Sequence, residues 1–114
     1  MALKQFSVDE IQSSVQTILK MSGVESYHRI SKPMFNEETG NEVGTAEVIY
    51  DGLAVLCAVN AELFNEVPKG AKQVICEKNL FLKPESVIEI KGKEYKVIQI
   101  KEHLTAYIAL VQAA

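Results

Sequence analysis

Residues 87–100 read Val-Ile-Glu-Ile-Lys-Gly-Lys-Glu-Tyr-Lys-Val-Ile-Gln-Ile, and residues 105–111 read Thr-Ala-Tyr-Ile-Ala-Leu-Val. Two β-branched runs flank Lys91-Gly92-Lys93, and glycine tolerates the positive φ that a tight hairpin turn requires. The third run follows after only a few polar residues, so it most simply pairs with the strand before it. This stretch therefore predicts a C-terminal meander of three antiparallel strands.

The apolar residues of this stretch do not keep to one side of each strand. Tyr95 and Val97 fall on one face while Ile98 and Ile100 fall on the other, and residues 105–111 are apolar on both faces. A bulge would cause the slip, and so would burial of both faces. A small barrel buries its inward residues, and one short helix cannot cover all of the outward ones. We therefore expect an apolar surface that self-association or a protein partner covers.

Length and composition indicate a single domain over residues 1–114. The hydrophobic share of 47% and the charged share of 24% are ordinary for a folded domain. A formal net charge of -3 disfavours a surface that attracts duplex DNA. No window approaches the roughly 18 apolar residues of a membrane span, and the N-terminus lacks the order of a signal peptide. We expect a cytoplasmic origin and no membrane association.

The N-terminal region carries the most specific local signal in the chain. Ser7-Val8-Asp9-Glu10 forms a capping box, and Phe6 and Ile11 stand at the two positions of a hydrophobic staple. Apolar residues then recur at helical spacing, namely Val8, Ile11, Val15, Ile18 and Leu19. Gly23 is placed to end the helix in a left-handed conformation. The sequence predicts a helix over residues 8–21 that lies across a sheet.

Residues 31–44 have the polar, turn-rich composition of a long mobile loop. Only Met34, Phe35 and Val43 are apolar there. A loop of this length is uncommon in a compact domain unless it has a function or stays disordered until a partner arrives, and both alternatives stay open. Residues 24–30, just before it, predict a short first strand.

The remaining strands are predicted within residues 45–59 and 72–111. Asp51-Gly52 allows either a hairpin or one long bent strand with a bulge at Gly52. We favour the bent strand, because glycine suits a corner at which a barrel closes. Residues 61–65 predict one helical turn. The predicted fold class is mainly β (α+β): a small antiparallel β-barrel or sandwich with an N-terminal helix and a long mobile loop.

The sequence offers no recognisable catalytic, cofactor-binding or metal-binding motif. Cys57 and Cys76 lie in apolar runs without CxxC or histidine spacing, and His28 and His103 are isolated from other candidate ligands. A phosphate-binding loop, a dinucleotide fingerprint and a nucleophile elbow are all missing from the sequence. We therefore predict that the protein is not an enzyme and uses no cofactor or metal.

The order of elements and the closing segment resemble the small head-tail joining (head completion, or connector) proteins of tailed bacteriophages and prophages, the lambda-type family. In that family the closing segment has a turn, a strand with an Ile or Val pair, a Gly-centred hairpin, an aromatic residue and a strand of the Val-Ile type. The matching positions of this chain are Pro84, Ile88, Ile90, Gly92, Tyr95, Val97 and Ile98. The corner departs from the family's common Gly-Asp, since it carries Glu85-Ser86.

The resemblance implies a non-enzymatic virion protein that is assembled in the bacterial host cytoplasm. Such a protein forms a ring, of six or twelve copies, beneath the portal. The ring closes the head, lets DNA pass without sequence-specific binding, and presents a docking surface to tail proteins. If so, residues 33–44 form the partner-facing loop, in which Phe35 is the anchor and Glu37, Glu38 and Glu42 line or rim the ring.

Two other functions compete with head-tail joining. A tail terminator, or another tail ring protein of the same phage class, shares the layout closely enough that the sequence hardly separates the two. A small barrel also suits a nucleic-acid, oligosaccharide or other ligand-binding module. If that module bound nucleic acid, it would contact phosphate groups and its binding would depend strongly on salt. An acidic chain without a basic stripe disfavours such binding.

Overall fold

The computed structural model describes residues 3–103 and 105–114. Within these residues, one α-helix precedes six antiparallel strands that close into a barrel. The elements are α1 (Val8–Ser22), β1 (Val24–Phe35), β2 (Glu42–Cys57), β3 (Lys72–Glu77), β4 (Val87–Ile90), β5 (Lys93–Glu102) and β6 (Ala106–Ala113), with short 3₁₀ helices at Ala61–Leu63 and Lys78–Leu80. The predicted fold class is confirmed as a barrel.

The barrel wall has the strand order β1-β2-β3-β6-β5-β4, and β4 returns to β1. The predicted C-terminal meander is confirmed, because β4 pairs with β5 and β5 pairs with β6. A short pairing, from Ser26 opposite Ile90 to His28 opposite Ile88, closes the barrel. Closure thus joins parts of the chain that lie far apart in sequence.

Helix α1 begins as predicted and extends one residue further, to Ser22. The Glu10 amide donates to Ser7 Oγ at 3.1 Å, and the Ser7 amide donates to Glu10 Oε1 at 3.3 Å, so the capping box is confirmed. Phe6 and Ile11 of the predicted staple are both buried. Since each cap bond satisfies a free amide of the first turn, the helix begins at a fixed residue.

The prediction that Gly23 adopts a left-handed conformation is wrong. Its φ of -70° and ψ of 142° are extended, and its amide donates to the Leu19 carbonyl at 2.9 Å. A Cβ at this position would lie 2.3 Å from the same carbonyl oxygen. Glycine is therefore needed here for close approach of backbone to backbone, and not for its conformational freedom.

Two apolar cores lie on the two faces of the barrel wall. The inner core fills the barrel and includes Val74, Ile88, Val97 and Val111. The outer core lies between the wall and α1, where Ile11 and Leu19 pack on strand residues such as Ile75, Ile108 and Leu110. Strand β6 belongs to both cores, since Ile108 and Leu110 face outward while Ala109 and Val111 face inward. Both faces of β6 are thus buried.

The apolar residues of β5 change from one face of the strand to the other, and this change has a local cause. The β5–β6 register shifts between Val97 and Gln99, so that Ile98 is an extra residue. Before this bulge Tyr95 and Val97 face the inner core, and after it Ile100 packs there. Of the two explanations that the sequence left open, the bulge applies to β5 and burial of both faces applies to β6.

The prediction of a long loop over residues 31–44 is wrong. Strand β1 continues to Phe35 and β2 begins at Glu42, and all of β1 pairs with β2, from Val24 opposite Ala54 to Phe35 opposite Glu42. The connecting turn is confined to residues 36–41. The polar composition of this segment reflects exposed strands, because a two-stranded ribbon outside the core has no need of apolar residues on both sides.

The prediction of a single long strand around Asp51-Gly52 is confirmed, but the predicted bulge is not. Pairing with β1 runs through Gly52 without a change of register. A Cβ on Gly52 would lie 3.3 Å from Leu80 Cγ and 3.4 Å from Glu77 Cβ. The next amide, that of Leu53, donates to Glu77 Oε1 at 2.7 Å. Gly52 therefore allows β2 to pass close to the segment that follows β3.

Candidate interaction surface

The distal part of the β1–β2 hairpin projects from the barrel as a free two-stranded ribbon. Strand β4 pairs with β1 only over residues 26–28, and β3 pairs with β2 only over residues 54–57. The pairs from Arg29 opposite Ile49 to Phe35 opposite Glu42 extend beyond these contacts. At about 3.4 Å per residue the ribbon, residues 29–49, is roughly 20 Å long. It accounts for a molecule that measures 54 × 29 × 25 Å.

One face of the ribbon is mostly apolar, and Lys32, which pairs with Ala46, is its one charged residue. Because paired residues of an antiparallel ribbon lie on the same face, the even-numbered residues share one side up to the pair of Met34 with Gly44. The register then shifts, and Phe35 pairs with Glu42. The stripe continues at the base of the ribbon, where the Tyr50 ring lies 4.9 Å from the Phe81 ring. We call this surface the apolar stripe; its members are Ile30, Met34, Ala46, Val48, Tyr50 and Phe81. Met34 is 48% exposed and Phe81 60% exposed.

The opposite face of the ribbon is mostly polar. It carries Arg29, Ser31, Thr45 and Glu47, together with the exposed Ile49. Arg29 anchors the base of this face, since its Nη2 lies 3.7 Å from Glu89 Oε2 on β4. The ribbon is therefore amphipathic, with one side suited to water and one side suited to a partner.

The end of the ribbon, which we call the tip (residues 35–42), is held by its own hydrogen bonds. Asn36 Oδ1 accepts from the amides of Glu38, at 2.8 Å, and Thr39, at 3.1 Å. The Asn36 amide donates to the Asn41 carbonyl at 2.8 Å, and Gly40 supplies the positive φ of 72° that the turn needs. The tip is thus a formed turn that needs no partner to define its shape.

The four residues predicted to contact a partner all lie at the tip. Phe35 is the last residue of β1, is 59% exposed and pairs with Glu42, the first residue of β2. Glu37 and Glu38 lie in the turn between them. The structure places these side chains on one exposed end of the molecule. Their role in binding remains a prediction.

The apolar stripe was missed from the sequence, although a signal for it exists. Ala46, Val48 and Tyr50 alternate with polar or exposed residues, a period of two that is typical of a strand with one apolar face. Ile30 and Met34 repeat the same parity on β1. Only the pairing of the two strands shows that these residues share a side. Phe81, from a separate segment, has no sequence signal that links it to them.

His28 has a structural position at the base of the ribbon. Its ring is buried, and its Nδ1 lies 2.8 Å from the Leu80 carbonyl oxygen. The ring also lies 5.8 Å from the ring of Tyr50. Through these contacts His28 holds the segment that carries Phe81 against the base of the ribbon. Phe81 therefore stays beside Tyr50, and the apolar stripe is continuous.

A second surface lies at the other end of the barrel. A cleft of about 440 Å³ opens there between the N-terminal segment, the start of β3 and the β4–β5 turn. We call it the lysine cleft, because the basic residues that line it are Lys4, Lys72, Lys91 and Lys93. Lys4 Nζ lies 4.9 Å from the ring centroid of Phe6, and Lys72 Nζ lies 5.7 Å from that of Tyr95. Among the described residues, no aspartate or glutamate lines the cleft.

Other reactive side chains are buried or dispersed. Cys57 and Cys76 are free and buried, and burial raises the pKa of each thiol to about 12. In residues 3–103 and 105–114, His, Cys, Asp and Glu nowhere gather in a group of three that could hold a metal ion. Across the same residues, no helix is long and apolar enough to cross a membrane.

Comparison with known proteins gives no family assignment. No protein-family model matches the chain. A search of curated proteins likewise found no significant match. Function is therefore inferred from the two surfaces described above.

Proposed function

We propose that this chain is a structural virion protein that joins the DNA-filled head of a tailed phage to its tail. In this role copies of the chain form a ring of six or twelve on the portal and offer a docking surface to tail proteins. The observation that carries the proposal is the ribbon: a formed, amphipathic projection that lies outside both apolar cores. The closing segment, whose matching positions run from Pro84 to Ile98, resembles that of head-tail joining proteins and supports the same function.

The ribbon has the properties of an assembly element. Isolated two-stranded ribbons are marginally stable in water, and open strand edges invite pairing with another chain. An exposed apolar stripe adds to this, because contiguous apolar surface on a folded protein generally marks an interaction site. The formed turn at the tip lowers the entropy lost on binding, since fewer residues must become ordered. These features favour binding of a protein over binding of a small molecule.

The charge distribution supports passage of DNA without binding to it. The formal net charge of the chain is -3, and the tip carries Glu37, Glu38 and Glu42. A ring of copies with a net negative charge repels phosphate overall and lets DNA move through. A nucleic-acid binding module, the alternative of another class, would be expected to carry a basic stripe along its exposed ribbon instead. The four lysines of the cleft are where such a module would bind phosphate.

The proposal is tested by electron microscopy of lysates from a phage or induced prophage in which the gene for this chain is interrupted. We expect filled or leaking heads beside free, complete tails, with virions restored by the intact gene supplied in trans. Intact virions without the gene would contradict a joining role. Heads accompanied by tails of irregular length would assign the chain to the tail terminator instead.

The role of the tip is tested in the same system by complementation with two variants. Phe35→Ala removes the predicted anchor, and Glu37→Lys/Glu38→Lys/Glu42→Lys reverses the charge of the tip. We expect both to reduce the yield of virions, while Glu62→Lys, an exposed change in the 3₁₀ helix Ala61–Leu63, leaves it unchanged. Full assembly with the triple variant would show that the tip is not a partner contact.

A further inference from the structure

The tip and the lysine cleft are complementary surfaces on one molecule. We propose that the tip of one copy docks in the lysine cleft of the next copy, so that each contact joins two different surfaces of the chain. The inference rests on the proposed function in that it names the contact between neighbouring copies of the ring. Its occupant is a second copy of this chain, and the reasons are charge, apolar fit and position.

Charge favours this pairing. The chain has three glutamates at the tip and no lysine or arginine between Lys32 and Lys69. The cleft brings together four of the twelve basic residues of the chain, with no carboxylate among its described lining residues. The ion pairs found in the described part of the chain, Arg29–Glu89 and Lys96–Glu85, involve neither surface. Each surface thus carries charge that its own copy leaves without a salt bridge.

Apolar surface favours it as well. Phe35 at the tip is 59% exposed, and Met34 beside it is 48% exposed. The cleft has an apolar lining between its lysines, from Leu3, Val24, Leu56 and Ile90. A volume of about 440 Å³ admits one or two large side chains. An aromatic residue that enters an apolar pocket within a charged rim is the common arrangement of an interface hot spot.

The positions of the two surfaces make the contact directional. Val24, the first residue of β1, lines the cleft, whereas Phe35, the last residue of β1, belongs to the tip. At about 3.3 Å per residue these two ends of β1 are roughly 35 Å apart. One copy therefore cannot fill its own cleft. A contact between two different patches generates a ring when its rotation closes, which is the assembly that the proposed function requires.

Disulfide formation between two full-length variants, with the same mild oxidant added to every pair, tests the contact. One variant carries Glu38→Cys at the tip, and the other carries Lys93→Cys at the cleft with a tag that changes its mass. The native thiols do not compete, because Cys57 and Cys76 are buried. The matched control replaces Lys93→Cys by Lys101→Cys, an exposed lysine at the other end of the same strand.

We expect the Glu38→Cys and Lys93→Cys pair to form the mixed disulfide roughly tenfold or more faster than the control pair, because docking raises the local concentration of the two thiols. Adding Lys4→Glu and Lys91→Glu to the cleft variant is expected to remove this difference. Adding Glu37→Lys and Glu42→Lys to the tip variant should then restore it. Equal rates for the Lys93→Cys and Lys101→Cys pairs overturn the inference.

The same cysteines identify a different occupant if there is one. In particles complemented with the Lys93→Cys chain, the cysteine can cross-link to another virion protein in place of a second copy. It can also react with an added oligonucleotide that carries a thiol-reactive group. Either result overturns the inference. Failure of the two proposals is distinguishable. If virions form normally when the gene is interrupted but cross-linking is fast and specific, only the joining function is wrong. If virions are defective but the two pairs cross-link at equal rates, only the tip–cleft contact is wrong.

Discussion

The two cysteines, Cys57 and Cys76, lie on opposite faces of the same wall, in the outer and the inner core respectively. Burial raises the pKa of each from 9.0 to about 12; the nearby Glu77 carboxylate adds to the rise for Cys76, and a hydrogen bond from Gln73 partly opposes it for Cys57. Both side chains therefore remain neutral thiols at physiological pH and act as small apolar residues.

The raised pKa values predict how stability depends on pH. Each thiol loses its proton near pH 9 in the unfolded chain but only near pH 12 in the folded one. Their contribution to the free energy of unfolding is therefore complete below pH 9 and is lost as the pH rises from 9 toward 12. Urea unfolding of the wild type and of Cys57→Ala/Cys76→Ala across this range measures the effect.

Comparison of the two proteins isolates the thiols, since all other side chains are the same in both. We expect the wild type to lose stability more steeply above pH 9 than the double variant, even though the variant is less stable at pH 7. Parallel pH profiles would show that the thiols ionise in the folded chain as readily as in the unfolded one. Slow reaction of the native chain with a thiol reagent, and fast reaction in urea, is the independent check.

The sequence predicts some single residues well and others poorly. Ser7 and Glu10 were predicted because both partners of the capping box lie within one turn of chain. The predicted conformation of Gly23 is wrong, because the real constraint there is the distance of 2.3 Å that would separate a Cβ from the Leu19 carbonyl oxygen. A glycine at the end of a helix is the same in sequence whether it is needed for a positive φ or for close approach.

At the scale of elements, the ribbon and the barrel are nearly independent. None of residues 30–48 belongs to either apolar core. The ribbon is joined to the rest of the molecule at its base, by the Arg29–Glu89 ion pair and by the contact of the Tyr50 ring with the tilted Phe81 ring. Its removal should therefore leave the barrel folded.

Excision of the ribbon tests this independence. A variant that joins Arg29 to Ile49 through Asn-Gly keeps the last pair above the barrel and supplies a two-residue turn suited to a hairpin. We expect its free energy of unfolding in urea to lie within about 1 kcal/mol of the wild type, because exposed strands add little to stability. The control is Leu110→Ala, a core truncation that should cost about 2–5 kcal/mol. A loss as large as that of the control would show that the ribbon supports the barrel.

The elements with local signals were predicted, and those that depend on distant pairing were not. Helix α1 and the β4–β5–β6 meander have caps, turns and periodicity within short stretches of chain. The sequence of the ribbon predicts a loop, because Pro33, Gly40, Gly44 and its glutamates are typical of loops. What makes it a ribbon is pairing between residues that only the folded chain brings side by side. Its stripe could not be predicted without that register.

At the scale of the whole molecule, the two proposed contact surfaces carry opposite charge. The tip, at one end, carries carboxylates, and the cleft, at the other end, carries lysines. Association through these ends should weaken as salt is added, because the Debye length falls from about 10 Å at 0.1 M to about 3 Å at 1 M. The rate of mixed disulfide formation between the Glu38→Cys and Lys93→Cys chains measures this. The Lys101→Cys pair is the control, and its rate should change little. A rate that does not fall with salt would show that attraction between the carboxylates and the lysines does not drive association.

Barrel closure is the feature of the whole molecule that the sequence predicts least. The β1–β4 pairing that closes it spans only Ser26 to His28 on one strand and Ile88 to Ile90 on the other. Neither segment has a sequence pattern that predicts its pairing with the other. The sequence accordingly allowed either a barrel or a sandwich, and only the pairing itself decides between them.

The two-sided ribbon also constrains how this protein can evolve. Because side chains alternate with a period of two, one residue added to each strand turns the tip over, whereas two added to each strand leave Phe35 and the glutamates on their original side. Natural variants that keep the same partner should therefore differ in ribbon length by multiples of four residues. Variants that differ by two should have changed the residues of the tip, or the partner that it meets.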